Sequence, residues 1–265
     1  MMKEPKIWTE DFAVRFHEVN ALGHPSILAI CHFLQSAASN HAQALGISVR
    51  DLRSSGHMWV LARLKLHIDN YPKGNGYIRI RTWPAGFDRI HALREFRIFD
   101  ANERLCGSAG SAWLILNIQR RRPVRLEPFG EGIHQMSRPD DISAGLEKLQ
   151  DLDDPSFTRE FRVRYHDIDI NRHVNNVNYL EWALETVPEA ILTTSSLRKL
   201  NLSFMGEAHF GDTVVSQAQS VNSTGVAFIH HLFCKDSGES LCRARSVWTD
   251  GRGNYKGYDT THELM

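Results

Sequence analysis

The sequence predicts an α+β protein made of two similar halves, each a long helix packed on a curved antiparallel β-sheet. Three observations carry that reading. Val14–His24 reads VRFHEVNALGH and Val163–His173 reads VRYHDIDINRH, 149 positions apart. Val, Arg, an aromatic, His, an acid, an aliphatic and a final His recur in register, and a repeat of domain size means paired units and not a solenoid. Each copy leads into a stretch of helical period, and each of those into strand-length runs separated by turn residues.

In the first half, Ile27, Ile30, Leu34, Ala38, His41 and Leu45 follow helical spacing, with Ser26 placed to cap the start and Gly46 the end. Strand patterns follow over 58–69, 77–84, 90–99 and 105–117. In the second half, Val177, Leu180, Leu184 and Val187 hold helical spacing until Pro188 stops it. Strands are expected over 197–205, 212–221, 226–234 and 240–249. Gly74-Asn75-Gly76, Asn222–Gly225 and Asp236-Ser237-Gly238 mark turns. Trp113 and Trp248 fall in comparable last strands. A helix lying on such a sheet buries its apolar stripe there. Residues 119–158 are charged and turn-rich, with room for a short helix at Leu146–Leu149. The expected organisation is a first unit over 1–118, a linker over 119–158 and a second unit over 159–265.

The 265 residues hold 31 Lys plus Arg and 31 Asp plus Glu, a formal net charge of zero. That balance argues against a globally basic nucleic-acid binder. Hydrophobic residues make up 42%, enough for a sizeable core. Met1–Phe12 carries charges and no apolar core, so it does not read as a secretory signal, and no run approaches a membrane span. Cys31, Cys106, Cys234 and Cys242 form no C-x-x-C pair and are too sparse for a disulfide framework. A reducing, cytoplasmic setting is expected.

Asp169, Asn171 and His173 sit at every second position. In an extended chain they would face one side, delivering a carboxylate, an amide and an imidazole together. Asn175 and Asn176 follow at the expected helix start, where backbone N–H groups are free to bind a polarised oxygen. The competing reading is a loop of Asx turns and a helix cap. The first copy has Asn20, Leu22 and His24 at the matching positions, so Asp and Asn belong to the second half alone.

The stretch Tyr165–Pro188, YHDIDINRHVNNVNYLEWALETVP, closely resembles the signature of the acyl-acyl-carrier-protein (acyl-ACP) thioesterases, double hotdog enzymes of plants and bacteria. The first half resembles them too, in Leu34–Ile47 (LQSAASNHAQALGI), Trp59–Arg63 (WVLAR) and Asp69-Asn70-Tyr71-Pro72. The resemblance spans about 8–250. It implies a tandem hotdog fold, release of fatty acids from the carrier, and catalytic roles for Asp169, Asn171, His173 and Glu207. It also implies a non-catalytic amino-terminal unit that holds the acyl chain, with Leu34, Ala38 and Trp59 as candidate lining residues. The competing reading of those three is ordinary core. Many plant members carry a cysteine directly after the glutamate; here Ala208 stands there. A thiolate from that position is excluded, so the expected chemistry is attack by water assisted by Glu207 or Asp169, or by a carboxylate itself. Asn171 could orient the water, His173 could shuttle a proton, and N–H groups near Val174–Asn176 could hold the oxyanion.

Arg120, Arg121, Arg122 and Arg125 form the one dense basic cluster. It suits docking of the acidic carrier protein; the alternative is a solvated linker face. His17, Glu18, Asn40 and His41 read as structural. No G-x-S-x-G, H-E-x-x-H or Walker A pattern occurs, and the adjacent His230-His231 would face opposite ways in a strand. No metal or other cofactor is implied. Two alternatives remain: an acyl-coenzyme A thioesterase, and a non-catalytic acyl-binding protein. Whether two copies pair as a homodimer is left open.

Overall fold

The computed structural model describes residues 7–73, 76–88, 90–126, 149–221 and 226–250. The turns expected at Gly74-Asn75 and Asn222–Gly225, and all but the last residue of the short helix expected at Leu146–Leu149, lie outside the described residues. The first half comprises β1 (Trp8–Val14), α1 (Ile27–Ala44), α2 (Val49–Ser54), β2 (His57–Ile68), β3 (Gly76–Asp88), β4 (His91–Phe99), β5 (Leu105–Asn117) and β6 (Arg122–Pro123). The second comprises β7 (Phe157–Arg162), α3 (Asn176–Leu184), α4 (Glu189–Thr194), β8 (Ser195–Phe204), β9 (Thr213–Ser220), β10 (Ala227–Cys234) and β11 (Ser240–Asp250).

All strands join one antiparallel sheet in the order β1-β3-β4-β5-β2-β8-β11-β10-β9-β7, with β6 added to β5. Read inward from either edge, the order is the same: a first strand, a three-strand meander, then the strand that follows the helices. The internal repeat is therefore a repeat of topology. Its packing repeats as well. Phe12 on β1 stacks on Phe33 of α1 at 4.9 Å, and Phe161 on β7 stacks on Trp182 of α3 at 5.8 Å. Trp113 and Trp248 do lie in matching last strands. Each donates its indole N–H to the serine two residues before it, Ser111 at 2.8 Å and Ser246 at 3.0 Å.

Helix α1 starts where Ser26 accepts the N–H of Ala29 and ends before Gly46, whose φ of +71° is the left-handed turn glycine favours. Its apolar face, including Ile30, Phe33, Leu34 and Ala37, is buried. Three details depart from the sequence pattern. Helix α3 stops at Leu184, and Val187 packs in the core from the loop before Pro188, which caps a separate α4. Strand β3 runs on past Pro84 to Asp88 through a bulge that restores its pairing with β4. Helix α2 has no counterpart in the predicted elements; Ser48 and Asp51 cap it reciprocally.

The halves meet at β2 and β8. Leu64 pairs with Leu202 and Leu66 with Leu200, and all four are buried. Each contributes roughly 1.5–3 kcal/mol by leaving water. Helices α1 and α3 lie side by side over this seam, so one hydrophobic core spans both halves. No helix among the described residues is long and apolar enough to cross a membrane.

His230 on β10 is fully buried, with Nε2 2.9 Å from Ser246 Oγ. Burial pulls its pKa from 6.5 down to about 3. The folded state therefore holds the ring neutral, while the unfolded chain takes up a proton below 6.5. Stability from this group is complete above that pH and drains away as the pH falls toward 3. The melting temperature should drop across this window, and His230→Gln should drop less steeply; parallel pH profiles for the two proteins would contradict this.

Candidate active site

The two copies of the repeat fold as the same tight loop. Each opens with a 3-10 turn, Phe16–Glu18 and Tyr165–Asp167, whose acid accepts the N–H three residues back at 2.7 Å. Asn20 N–H then donates to His24 O, and Asp169 N–H to His173 O, both at 2.8 Å. Val19 pairs with Pro25 and Ile168 with Val174 to close each loop. Gly23 and Arg172 take the left-handed conformation, φ +78° and +67°.

This overturns the extended arrangement expected for Asp169, Asn171 and His173. The loop, not strand alternation, gathers them. Asp169 Oδ1 accepts the N–H of Asn171 at 2.7 Å, and Oδ2 accepts its amide Nδ2 at 3.1 Å. Asn20 performs the same Asx turn in the first copy, accepting the N–H of Leu22 at 3.1 Å. The turn role is thus common to both halves. What the second half adds is the charge of Asp169 and the amide of Asn171.

A second loop, after β8, closes the site. Ala208 N–H donates to Tyr179 OH at 2.8 Å, and Ala208 O accepts the N–H of Val174 at 3.1 Å. Ala208 is wholly buried, and burial raises the Tyr179 phenol. The neighbouring Gly206 is required by space: a Cβ there would lie 2.9 Å from Ser240 O. Glu207 is thereby held with Oε2 3.4 Å from His173 Nε2, both side chains partly buried. The ring of His173 meets that of His209 edge-on at 5.2 Å. The four predicted residues thus form two contacting pairs, Asp169 with Asn171 and His173 with Glu207, joined through one backbone loop.

The equivalent loop of the first half lacks this chemistry. Asp69 and Asn70 share the carbonyl of Cys106 just as Met205 and Gly206 share that of Leu241, which aligns Tyr71 with Glu207. Tyr71 donates its hydroxyl to Leu197 O at 2.7 Å, and burial raises its pKa. His24 faces a half-buried phenol ring where His173 faces a carboxylate.

Two arginines from the first half complete the site. Antiparallel pairing sets the end of β8 beside the start of β2, and β5 ends there too, with Asn117 opposite His57. Arg53, on α2 just before β2, donates from Nη2 to Asn171 Oδ1 at 2.8 Å. Arg121, in the β5–β6 turn, pairs with Glu207. Arg53 was not foreseen from sequence; the Ser48-x-x-Asp51 capping signal could have revealed its helix. Arg121 was read as a docking residue; its exposed guanidinium reaches Glu207. Arg120, Arg122 and Arg125 are exposed beside it. One further expectation is corrected: the N–H groups of Val174 and Asn175 are not free, being bonded to Ala208 O and Asp167 O.

Behind the loop, a small cavity follows the seam, lined by Leu34, Leu64, Trp113, Asn176 and Leu180 among others. Cys31 also lines it, but burial pushes its thiol up to about 12. Gln35 and Trp113 are shared with a second cavity of about 110 Å³, lined by Ala38, Trp59 and Arg94. Leu34, Ala38 and Trp59 thus all face cavity space. Asn40 bonds Glu10, and His41 meets Arg94.

Helices on a mostly antiparallel sheet, with a His–carboxylate site at the seam, define a hotdog-like α+β protein. The family model for the acyl-ACP thioesterase N-terminal domain matches residues 5–129, and that for the C-terminal domain matches 150–250. The chain belongs to the acyl-ACP thioesterase family. It is 28% identical to "Oleoyl-acyl carrier protein thioesterase 2, chloroplastic" of Arabidopsis thaliana, over 94% of this chain and 78% of the relative. It is 26% identical to "Dodecanoyl-[acyl-carrier-protein] hydrolase, chloroplastic" of Umbellularia californica, over 91% and 67%. A solved acyl-ACP thioesterase from Bacteroides thetaiotaomicron is similar at TM-score 0.80 and 25% identity, covering 92% of this chain and 98% of that one. The solved 12:0-ACP thioesterase of Umbellularia californica has a TM-score of 0.83 at 22% identity, over 94% and 100%.

The paired loops offer a direct comparison of backbone strain. A Cβ at Gly23 meets no atom, so Gly23→Ala incurs only the left-handed strain, about 1 kcal/mol. Arg172 already bears that strain. Gly23→Ala should lower the melting temperature by roughly 2–4 °C, and Arg172→Ala should leave it unchanged. Equal shifts would show that the two loops differ in conformation.

Proposed function

We propose that the protein hydrolyses the thioester of acyl-acyl-carrier-protein and releases the free fatty acid. The observation that carries this is the His173–Glu207 contact, present in the second half and replaced by His24–Tyr71 in the first. We read the two halves as tandem hotdog units near 1–118 and 159–265. The second is catalytic, and the first holds the acyl chain through Leu34, Ala38 and Trp59.

Glu207 is the base in this reading. Both oxygens of Asp169 are occupied by Asn171, whereas Arg121 and His173 both meet Glu207 on Oε2. Water held near Oε1 attacks the carbonyl carbon, and its proton passes to the Glu207–His173 pair. The carbonyl oxygen becomes an oxyanion. The N–H of Asn176, at the positive end of α3, and the Arg53 guanidinium are its candidate donors. The C–S bond then breaks, and His173 returns the proton to the leaving thiolate. Asp169 and Arg53 fix the Asn171 amide, which orients the water.

A route without a thiolate suits the buried Ala208 and the raised thiols of Cys31 and Cys242. Glu207→Gln and His173→Ala should fold normally and lower kcat for thiol release by roughly 10²–10⁴-fold. Asp169→Asn keeps the Asx turn and should also lose turnover. Wild-type rates in all three would place the chemistry elsewhere.

The carrier is proposed to dock on Arg120, Arg122 and Arg125, beside the arginine that reaches Glu207. A cytoplasmic setting and pairing into a homodimer stay part of the proposal; the plant relatives are named chloroplastic. Arg120→Glu with Arg122→Glu should raise KM for the carrier substrate roughly tenfold at low salt and leave kcat near wild type. High salt should shrink the difference. Unchanged KM and unchanged salt dependence would remove this docking face.

A further inference from the structure

The second cavity has one feature that a hydrocarbon chain does not call for. Its wall is largely apolar, with Ala38, Ile47, Trp59 and Trp113 around it, yet Arg94 of β4 is set into that wall. Arg94 is only 8% exposed. Its Nη1 donates to Thr82 Oγ1 at 3.1 Å and lies 3.1 Å from His41 Nδ1. Nε and Nη2 hydrogen-bond to no described residue, and Arg94 makes no ion pair among the described residues. The adjacent Glu95 projects to the opposite face of the strand. Burial alone lowers the guanidinium to about 10, so it stays charged at neutral pH.

A buried cation that meets no carboxylate among the described residues leaves donor capacity there, and such donors in an apolar site select for an acceptor. The same site would penalise a ligand that brings none, because the guanidinium edge would then be dehydrated without compensation. The cavity shares Gln35 and Trp113 with the seam cavity, which reaches Asn176 beside the candidate site. A chain whose thioester lies at His173 and Glu207 would run along that route, so Arg94 meets its far part and not its reacting end.

We propose that this cavity is a subsite for acyl chains carrying an oxygen acceptor on their distal part, as a hydroxyl, carbonyl or carboxylate, held by the free edge of the Arg94 guanidinium. The proposal rests on the thioesterase reading and deepens it. Thr82 and His41 anchor one side of the guanidinium and so aim the other into the cavity.

The test is a panel of carrier thioesters of equal chain length: unsubstituted, hydroxylated at successive distal carbons, oxo-substituted, and ending in a carboxylate. The wild-type protein should favour at least one oxygenated arm in kcat/KM by about tenfold or more, the scale of one hydrogen bond to a charged group. The preferred arm identifies which acceptor the site takes. Arg94→Met, checked for folding by its melting curve, should abolish the preference and hydrolyse the unsubstituted chain at least as fast as wild type. Arg94→Lys should keep part of the preference. If wild type handled the unsubstituted chain as well as every oxygenated one, or if Arg94→Met lost all arms equally, Arg94 would be a structural tie between α1 and the sheet and the subsite would fall. If no carrier thioester were hydrolysed at all, the thioesterase reading would fail separately. Calorimetry with free acids would then decide the subsite: a distal hydroxy acid binding tenfold tighter than its plain counterpart supports it, and equal affinity removes it.

Discussion

The pairing of β2 with β8 is the constraint on which the rest of the molecule depends. It is a short ladder, closed by two pairs of buried leucines. It makes one sheet of two, and it lays α1 beside α3 over a single core. Its direction matters as much as its existence. Because the strands run antiparallel, the end of β8 lies beside the start of β2, and so Asn171 is reached from α2 and Glu207 from the β5–β6 turn. A site whose four candidate chemical residues all come from the second half is therefore finished by Arg53 and Arg121 of the first. The same seam encloses the space that leads away from it.

The two halves share a scaffold and differ in chemistry. The loops around Asn20 and Asp169 share their turn, their bridge and their left-handed residue. An amide and a carboxylate serve equally well in an Asx turn. The negative charge of Asp169 is thus surplus to folding, which is what a residue retained for chemistry would look like. Leu22 against Asn171 and Tyr71 against Glu207 tell the same story. In the first copy Leu22 carries no polar group and the Tyr71 hydroxyl is spent on Leu197 O, while the second leaves an imidazole facing a carboxylate.

Most of the fold was legible in the sequence. Helix α1, its Ser26 cap and its Gly46 stop follow from periodicity and capping chemistry, and β5 runs over the expected 105–117. The short α2 was missed because six residues give too little periodicity to see, although its capping pair was in plain view. The break between α3 and α4 was missed because Val187 keeps helical spacing while packing from a loop. At the site, the four predicted residues fall into two contacting pairs, and the extended geometry expected for three of them is replaced by a turn. Alternation at i, i+2 and i+4 is a property of strands, and backbone hydrogen bonds to His173 O fold this segment into a turn instead.

The internal repeat, the limits of α1, the inequality of the halves and the family signature were all readable along the chain. These follow from local period, capping and residue identity, which the linear order contains. Tertiary structure decided the rest. Only strand pairing could bring Arg53 within 2.8 Å of Asn171, 118 positions away. Only the packing of α1 on the sheet could bury Arg94 against His41 in the wall of a cavity, for nothing along the chain says which charge will be set among apolar neighbours.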